Sequence, residues 1–413
     1  MYIRRRSFFE ICFPLTVVFF IGVSTIFLSK IGGFELRWVF DCLLFLYLFL
    51  NRKCLIHINH RHVALLLFYF AWCVSTTAWS EMPLLSFSKS VVFAFNIIIM
   101  LSAGSLWVIK FGYARSLDYL FLLLLIVMLS GIAGKVGNNN LTHLTLYGGL
   151  SGNSNTFGSM VAMTMPLILL KIYQGRQKKL RCLIWIVILI IAIHFLLLSC
   201  SRTALAIFLC SAYFFFISLS LSKKIIIGLS AFFFISLLLI MMPTSYLESI
   251  AFKHIFKHHS TKISHTANSL LQSREMVWHK SYEQAKKGGL IGGGFFVSIG
   301  KTSSNDQYKP SDVSREKGNA QFAIVEETGL VGLCFYAAIL ISFFWYIIPF
   351  YLRLNGSDKV AMGITLGAII GILLQSIAED SWDSSAGQEF IYFWTLVGVI
   401  YGMIYLKSKF KHH

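Results

Sequence analysis

Long apolar runs, separated by short polar connections, make up most of this chain of 413 residues. Each run approaches the roughly 20 residues that a helix needs to cross the hydrocarbon core of a bilayer. The runs do not alternate between apolar and polar positions, as the strands of a membrane barrel do. The pattern predicts an all-α polytopic membrane protein with about twelve transmembrane helices in one integral membrane domain, residues 1–413. The predicted spans are Ile11–Leu28, Leu36–Leu50, Val63–Trp79, Val91–Val108, Leu117–Ile132, Thr156–Leu170, Cys182–Leu198, Thr203–Leu219, Ile225–Met242, Thr328–Phe350, Val360–Ile377 and Phe390–Leu406.

One long polar segment interrupts this pattern between the ninth and tenth predicted spans. It is Pro243–Glu327, and it contains five of the twelve histidines and the glycine-rich segment Gly288–Gly294. A large loop between membrane helices often covers a site at the boundary of water and lipid. We therefore expect residues 243–327 to form a large external loop inserted in the membrane domain, with the remaining helices as its platform.

The basic residues are distributed unevenly between the two sets of short connections. With twelve spans, twenty Lys and Arg side chains lie on the side of the termini and five on the other side in short loops. Cytoplasmic loops carry such an excess, so both termini are predicted to be cytoplasmic and the long loop to face outward. The same distribution explains the net charge of +18 without nucleic acid as a partner. The five outward residues are Lys30, Arg37, Lys89, Lys135 and Arg202.

Cysteine and histidine give little indication of a metal site. The eight cysteines lie almost all in or beside predicted spans and include no CxxC pair. His254, His258 and His259 have helical spacing, but no carboxylate or cysteine ligand accompanies them convincingly. A basic helix on the membrane surface, suited to anionic lipid head groups, is favoured over a metal site there.

Arg202 is the sharpest single signal in the sequence. It lies in a minimal connection between two apolar runs, Ser199–Thr203. A cation so close to hydrocarbon is costly unless it is paired or solvated, which makes a functional role the default hypothesis. The alternative is an arginine that extends its charge to the membrane surface. Its outward position weakens that alternative, because orientation signals disfavour arginine there.

Arg274 begins a second candidate stretch, in the long loop. Trp278 and Tyr282 follow it at intervals of four residues, so the three share one helix face. This pattern is typical of an amphipathic helix on the membrane surface, with an ordinary solvated helix as the alternative. The segment Gly288–Gly294 lacks the GKS or GKT of a P-loop and is predicted to be a tight turn that ends this helix. Binding of a phosphate by its backbone amides is the less favoured interpretation.

Two polar turns are candidates for sugar contacts. Asn153 and Asn155 precede a predicted span and could form a turn with a helix cap or bind a sugar. Glu379 and Asp380 lie beside Trp382 in the last outward connection. A ring face can stack on a sugar while carboxylates accept its hydroxyl hydrogens, whereas the alternative is a solvated loop.

Four of these segments, in this order, resemble a known family. They are SGNSNTFG (Ser151–Gly158), SCSRTAL (Ser199–Leu205), SREMVWHKSYEQAKKGGLIGGGF (Ser273–Phe295) and GNAQFAIVEETGLVGL (Gly318–Leu333). Together they resemble the O-antigen ligase/polymerase superfamily, which includes Wzy-type polysaccharide polymerases. The resemblance covers about Ser151 to Gly402, and the N-terminal third is similar only in its spans.

The resemblance implies a GT-C-like fold and an inverting glycosyltransferase of the bacterial inner membrane. It implies a glycan on undecaprenyl pyrophosphate as donor, a site that faces the periplasm, and no metal or other cofactor. It also implies that two arginines, matched here by Arg202 and Arg274, bind the donor pyrophosphate. Guanidinium groups that bind in a bidentate manner are suited to stabilise a leaving pyrophosphate in the absence of a cation.

One motif departs from the pattern of the ligases. Ligases usually have a His-Asn pair, with the histidine important for the acceptor, where this chain has Gly318 and Asn319. This departure favours a polymerase, with Asn319 retained at the site. Glu326 and Glu327 are nearby candidates for the base, because a carboxylate can accept the proton of a sugar hydroxyl.

The expected function is therefore polymerisation of a surface polysaccharide such as O-antigen. The glycan would pass from its undecaprenyl pyrophosphate to a sugar hydroxyl of an incoming lipid-linked repeat unit. A chain-length regulator and a flippase would be protein partners. One alternative is an O-antigen ligase that uses lipid A–core as acceptor, and another is a transporter or flippase of lipid-linked sugars. A transporter would more often have charged or broken spans at mid-membrane, whereas the polar residues here concentrate at the outer face.

Overall fold

Helices account for all the regular structure in the described residues. This computed structural model describes residues 7–23, 25–30, 32–137, 147–220, 222, 224, 278–299, 318–379 and 386–409. The helices are α1 (Phe8–Gly22), α2 (Ile26–Lys30), α3 (Gly33–Leu50), α4 (His60–Ser75), α5 (Pro83–Phe111), α6 (Phe121–Gly137), α7 (Ser154–Gly175), α8 (Lys179–Ser199), α9 (Arg202–Ser218), α10 (Ala320–Leu352), α11 (Gly356–Ala378) and α12 (Gln388–Lys409). A further helical segment, residues 278–288, lies before α10 and is called the loop helix.

Seven helical stretches are long and apolar enough to cross a membrane, judged by length and composition in the described residues. They are α5, α7, α8, α10, α11, α12 and the stretch Tyr113–Gly134, which contains most of α6. α1 and α9 are apolar but shorter, and α3 has Glu35, Arg37 and Asp41 among its 18 residues. These helices agree with a helical membrane protein. The number of twelve spans stays a prediction, and Ile225–Met242 lies outside the described residues.

Two predicted boundaries differ from the structure. The first predicted span is divided into α1 and α2, because the Thr25 hydroxyl donates to Gly22 O (2.7 Å) and accepts from Leu28 N (3.4 Å). At the other boundary, α10 begins at Ala320, so the last eight residues of the predicted external loop are helical. Polar residues can form this first part of α10 because Asn319 caps it and its carboxylates have partners inside the protein.

Glycines bring two pairs of helices into close contact. Gly363, Gly367 and Gly371 recur every four residues on α11 and face α9. A Cβ atom on Gly371 would lie 2.4 Å from the α9 backbone. Gly398 and Gly402 place α12 against α5 in the same way, with corresponding distances of 2.4 and 2.5 Å to the α5 backbone. Small residues at this spacing allow apolar helices to pack backbone to backbone in a membrane.

The first and last helices have their chain ends at the same end of the bundle. Tyr113, just after α5, donates a hydrogen bond to Met403 O in α12. Three ion pairs surround this contact and define what we call the basic end. They are Glu10–Lys110 (2.8 Å), Asp118–Lys171 (2.6 Å) and Asp358–Lys407 (3.6 Å). The start of α1 and the end of α12 therefore lie at the same end of the bundle, whereas the number of crossings and the cytoplasmic location of this end stay predictions.

Candidate functional site at the polar end

The end opposite the basic end, here called the polar end, is where α7, α9, α10 and α12 begin. Asn153 caps α7, because its side chain accepts from Asn155 N (2.9 Å) and Thr156 N (3.3 Å). The interpretation of this segment as a turn with a helix cap agrees with that geometry. Sugar contacts by Asn153 and Asn155 stay predictions.

The start of α7 packs against the connection between α8 and α9. A Cβ atom on Gly158 would lie 2.6 Å from Ser201 Cβ and 2.7 Å from Ser199 Oγ, so only glycine allows this approach. Cys200 reverses the chain with φ of 50°, and the Ser201 side chain then accepts from Ala204 N (3.4 Å) as the cap of α9. Arg202 is consequently the first residue of α9, and it is half-buried.

A network of side chains lies directly beside Arg202 and joins three helices. Thr203 Oγ1 in α9 donates to Glu379 Oε1 after α11 (2.8 Å). Gln375 Nε2 in α11 donates both to Glu379 Oε2 (3.2 Å) and to Ser159 Oγ in α7 (2.9 Å). Ser159 and Gln375 are buried, whereas Glu379 is partly exposed.

The start of α12 completes this group. Gln388 Nε2 donates to Glu389 Oε1 (2.9 Å), and the Glu389 carboxyl lies close to both Ser159 and Glu379. The six residues of the group are called the polar cluster: Ser159, Thr203, Gln375, Glu379, Gln388 and Glu389. Of these, only Glu379 was predicted from the sequence as a site residue. A buried glutamine inside an apolar run and a carboxylate at the start of the last span are signals that could have indicated Gln375 and Glu389.

Asn319 connects α10 to the end of α11. Its Oδ1 accepts from Phe322 N (2.9 Å) as the cap of α10, and its Nδ2 donates to Ile377 O (2.7 Å). Gln321 Nε2 donates to Ser376 Oγ one residue earlier on α11 (3.2 Å). The Asn319 side chain thus caps α10 with its oxygen and joins α10 to α11 with its nitrogen, two residues before Glu379. Its catalytic role stays a prediction.

Glu326 and Glu327 have a different environment. They are 0% and 1% exposed. Glu327 Oε2 accepts from Phe296 N (2.7 Å), and Glu326 Oε1 accepts from Ile299 N (3.0 Å). Each carboxylate therefore fixes the backbone of the segment that follows the loop helix. The role of either residue as a base stays a prediction.

The glycine-rich segment 288–294, called the glycine clasp, surrounds a break in α10. Gly329 has φ of 72° and ψ of −175°, which interrupts the helical hydrogen bonds. The clasp replaces them. The replacing bonds are Gly293 N to Glu326 O (2.9 Å), Gly294 N to Glu327 O (3.0 Å), Leu330 N to Gly289 O (3.0 Å) and Val331 N to Leu290 O (3.2 Å).

Two tryptophans hold the clasp and the break from the side of α4. Trp72 Nε1 donates to Thr328 O (2.8 Å), and Trp79 Nε1 donates to Gly292 O (3.0 Å). A Cβ atom on Gly292 would lie 2.2 Å from Glu327 O, so the contact excludes any side chain there. The prediction of a turn that ends a helix agrees with the clasp, but its contact with α10 was not foreseen.

The loop helix has a buried face, but it differs from the predicted one, because Tyr282, predicted to share a face with Trp278, is 45% exposed. Its location on the membrane surface stays a prediction. Ser281 and Ala285 are buried on one face, and Lys286 is exposed and lies 3.2 Å from Glu283. A hydrogen bond from Lys286 to Glu283 raises the pKa of Lys286. Trp278 Nε1 donates to Gly318 O (2.9 Å), which joins this helix to the start of α10.

Several predicted site residues lie outside the described residues. They are Arg274, Asp380 and Trp382, together with the histidine group His254, His258 and His259. The distance between Arg202 and Arg274 is therefore not part of the described geometry. In the described ranges, no group of three or more His, Cys, Asp or Glu side chains could hold a metal ion.

The polar end combines two kinds of chemistry. Arg202 lies at the start of α9, and the start of α7 packs against the turn just before it, so two helix starts place partial positive charge near this arginine, an arrangement that favours an anion. The polar cluster supplies carboxylate, amide and hydroxyl oxygens, which can accept hydrogen bonds from a ligand. By length and composition the chain belongs to the class of helical membrane proteins. No protein-family model and no curated protein matches it.

Proposed function

We propose that this protein is a membrane glycosyltransferase that polymerises a surface polysaccharide from units linked to a polyprenyl diphosphate. The observation that carries the proposal is the position of Arg202. It begins α9 at the polar end, and the next residue, Thr203, is hydrogen-bonded to Glu379 of the polar cluster. An anion-binding group and a group that can accept hydroxyl protons are thus neighbours.

Arg202 is proposed to bind the diphosphate of the donor, with Arg274 as its second ligand. The leaving diphosphate gains charge as the glycosidic bond breaks, and a guanidinium group can donate two parallel hydrogen bonds to it. The start of α9 adds backbone N–H groups and the positive end of the helix dipole. The order of the four motifs that resemble polysaccharide polymerases and ligases supports the same assignment.

The location and the partners follow as parts of the proposal. The polar end faces the periplasm, because the excess of basic residues at the other end favours a cytoplasmic position there. Donor and acceptor are both lipid-linked glycans that reach the site through the bilayer. A polymerase is favoured over the ligase because Gly318 lies where the ligases have histidine.

Arg202→Lys in a deletion strain tests the proposal. Lysine keeps the charge but loses the planar fork of the guanidinium group. We expect a loss of about 10²–10³ in transfer rate, roughly 3–4 kcal/mol of transition-state stabilisation. The measurement is the length of the glycan chains on lipopolysaccharide at matched membrane expression. Arg353→Lys is the matched control, because Arg353 is exposed beyond the other end of α10.

The deletion strain itself separates the candidate functions. Loss of all but one repeat indicates a polymerase, and loss of every repeat from the lipid A–core indicates a ligase. Accumulation of lipid-linked repeats on the cytoplasmic leaflet indicates a flippase. Normal chain lengths with Arg202→Lys would overturn the assignment of Arg202 to the diphosphate.

A further inference from the structure

The orientation of the Gln375 amide defines an open acceptor in the polar cluster. The amide nitrogen of Gln375 faces Glu379, because it donates a hydrogen bond to Glu379 Oε2. The amide oxygen consequently points away. Gln375 is 1% exposed, and its Oε1 has no hydrogen-bond partner in the part of the chain that the structure describes. A buried acceptor without a donor is unfavourable, so a donor supplied by a ligand would be stabilising.

Gln388 repeats this arrangement at the start of α12. Its Nε2 donates to Glu389 Oε1, and its Oε1 is buried without a partner among the described residues. Each glutamine therefore uses its donor on a carboxylate and leaves its acceptor open. The complementary ligand is one with several O–H donors, such as a sugar.

Glu379 is the carboxylate best placed to take a proton. It is partly exposed, and it accepts a hydrogen bond from Thr203, the residue next to Arg202. Thr203 donates to one of its oxygens and Gln375 to the other, so side chains of two helices orient the carboxylate. Glu326 and Glu327 are buried completely, and both hold backbone amides.

We infer that the polar cluster is the acceptor site of the proposed transferase, with Gln375 and Gln388 binding sugar hydroxyls and Glu379 as general base. This inference rests on the proposed function. In the step, the acceptor hydroxyl oxygen forms a bond to the anomeric carbon of the donor while the bond from that carbon to the diphosphate oxygen breaks. The hydroxyl proton passes to Glu379. The leaving diphosphate keeps the bonding electron pair and is held by Arg202.

Azide tests the role of Glu379, because the azide anion attacks without losing a proton. The full chain in lipid nanodiscs is given lipid-linked repeat units extracted from membranes of the deletion strain. Glu379→Ala is expected to slow chain extension by about 10²–10⁴-fold. Added azide is then expected to release polyprenyl diphosphate and to yield a glycosyl azide with inverted configuration. Glu81→Ala, an exposed carboxylate near the start of α5, is expected to behave like the wild type.

Gln375→Met tests the role of the Gln375 amide with a side chain of similar size, because it removes the acceptor oxygen together with the donor to Ser159 and Glu379. We expect the concentration of lipid-linked acceptor for half-maximal extension to rise about tenfold, an effect in the range of one lost hydrogen bond. The azide reaction in a Glu379→Ala background is expected to remain unchanged. Loss of the azide reaction as well would show that Gln375 holds the helices together, and its role as a ligand would be rejected.

The outcomes separate this inference from the proposed function. A wild-type protein that transfers nothing from lipid-linked donors contradicts the proposed function itself. Active wild type, with a monodisperse Glu379→Ala variant that forms no glycosyl azide, contradicts only the assignment of the base. Activity that is lost in EDTA and restored by Ca²⁺ or Mg²⁺ would assign the polar cluster to a cation and overturn the acceptor site.

Discussion

Two pairs of carboxylates lie toward the polar end, and their hydrogen-bond partners differ in kind. Glu326 and Glu327 accept from backbone amides of one segment, beside the glycine clasp. Glu379 accepts from side chains of two helices, and Glu389 lies beside it. A carboxylate held by backbone amides and shielded from water serves to position a segment. A partly exposed carboxylate held by side chains retains the capacity to meet a ligand.

The first prediction concerns Glu379, whose substitution should lower activity much more than stability. Glu379→Gln keeps the shape of the side chain and an oxygen that can accept from Thr203, so stability should change by less than about 1 kcal/mol. The transfer rate should fall by about 10²–10⁴, because the amide cannot take a proton. The measurements are chain extension from extracted lipid-linked units and thermal unfolding in detergent. A rate within threefold of Glu81→Gln would contradict this prediction.

The second prediction concerns the glycine clasp, which is hydrogen-bonded to the backbone of Glu326 and Glu327. Gly292→Ala places a Cβ atom 2.2 Å from Glu327 O at a φ of 76°. Strain and overlap together should destabilise the protein by roughly 3–5 kcal/mol. Gly289→Ala is the matched control, since Gly289 also has positive φ but nothing lies within 4 Å of its added Cβ. It should lose only about 1 kcal/mol. If both variants lost the same fraction of monodisperse protein on heating, the proposed contribution of the clasp to stability would be contradicted.

The third prediction concerns Glu327 itself. Glu327→Gln removes the charge that accepts from Phe296 N, and this should reduce stability by about 1.5–3 kcal/mol. The rate per folded molecule should stay within threefold of the wild type. The measurement pairs thermal unfolding with extension assays normalised to the monodisperse fraction. A hundredfold lower rate at unchanged stability would assign the base to Glu327 instead.

The smallest predicted effect is at the edge of the clasp. Trp79→Phe removes the indole donor to Gly292 O and should cost about 1 kcal/mol of stability. Trp345→Phe is the control, because Trp345 is 82% exposed and should change stability by less than about 0.5 kcal/mol. Thermal unfolding of both variants in the same detergent compares them. Indistinguishable midpoints would mean that the Trp79 bond contributes nothing to the clasp.

Local patterns in the sequence predicted much of the helical framework. Polar residues that cap helices precede apolar runs at Asn153, Ser201 and Asn319, and each accepts from the backbone as such residues do. Arg202 could be predicted as a candidate site residue from the sequence, because a cation between two apolar runs is rare. These features depend on residues within a few positions of each other, so one sequence is sufficient to find them.

The tertiary structure alone decided which polar groups meet. Ser159, Gln375 and Glu389 are far apart along the chain, and only the packing of α7, α11 and α12 makes them neighbours. The same holds for Glu326 and Glu327, whose position in the sequence fits a base as well as a structural group. The sequence by itself determined an apolar helical chain, because hydrophobic run length is a local property, whereas the external loop stays a prediction. Burial and partner identity depend on contacts between distant segments. Only the folded arrangement therefore distinguishes the carboxylates that bind the backbone just after the clasp from those that could bind an acceptor.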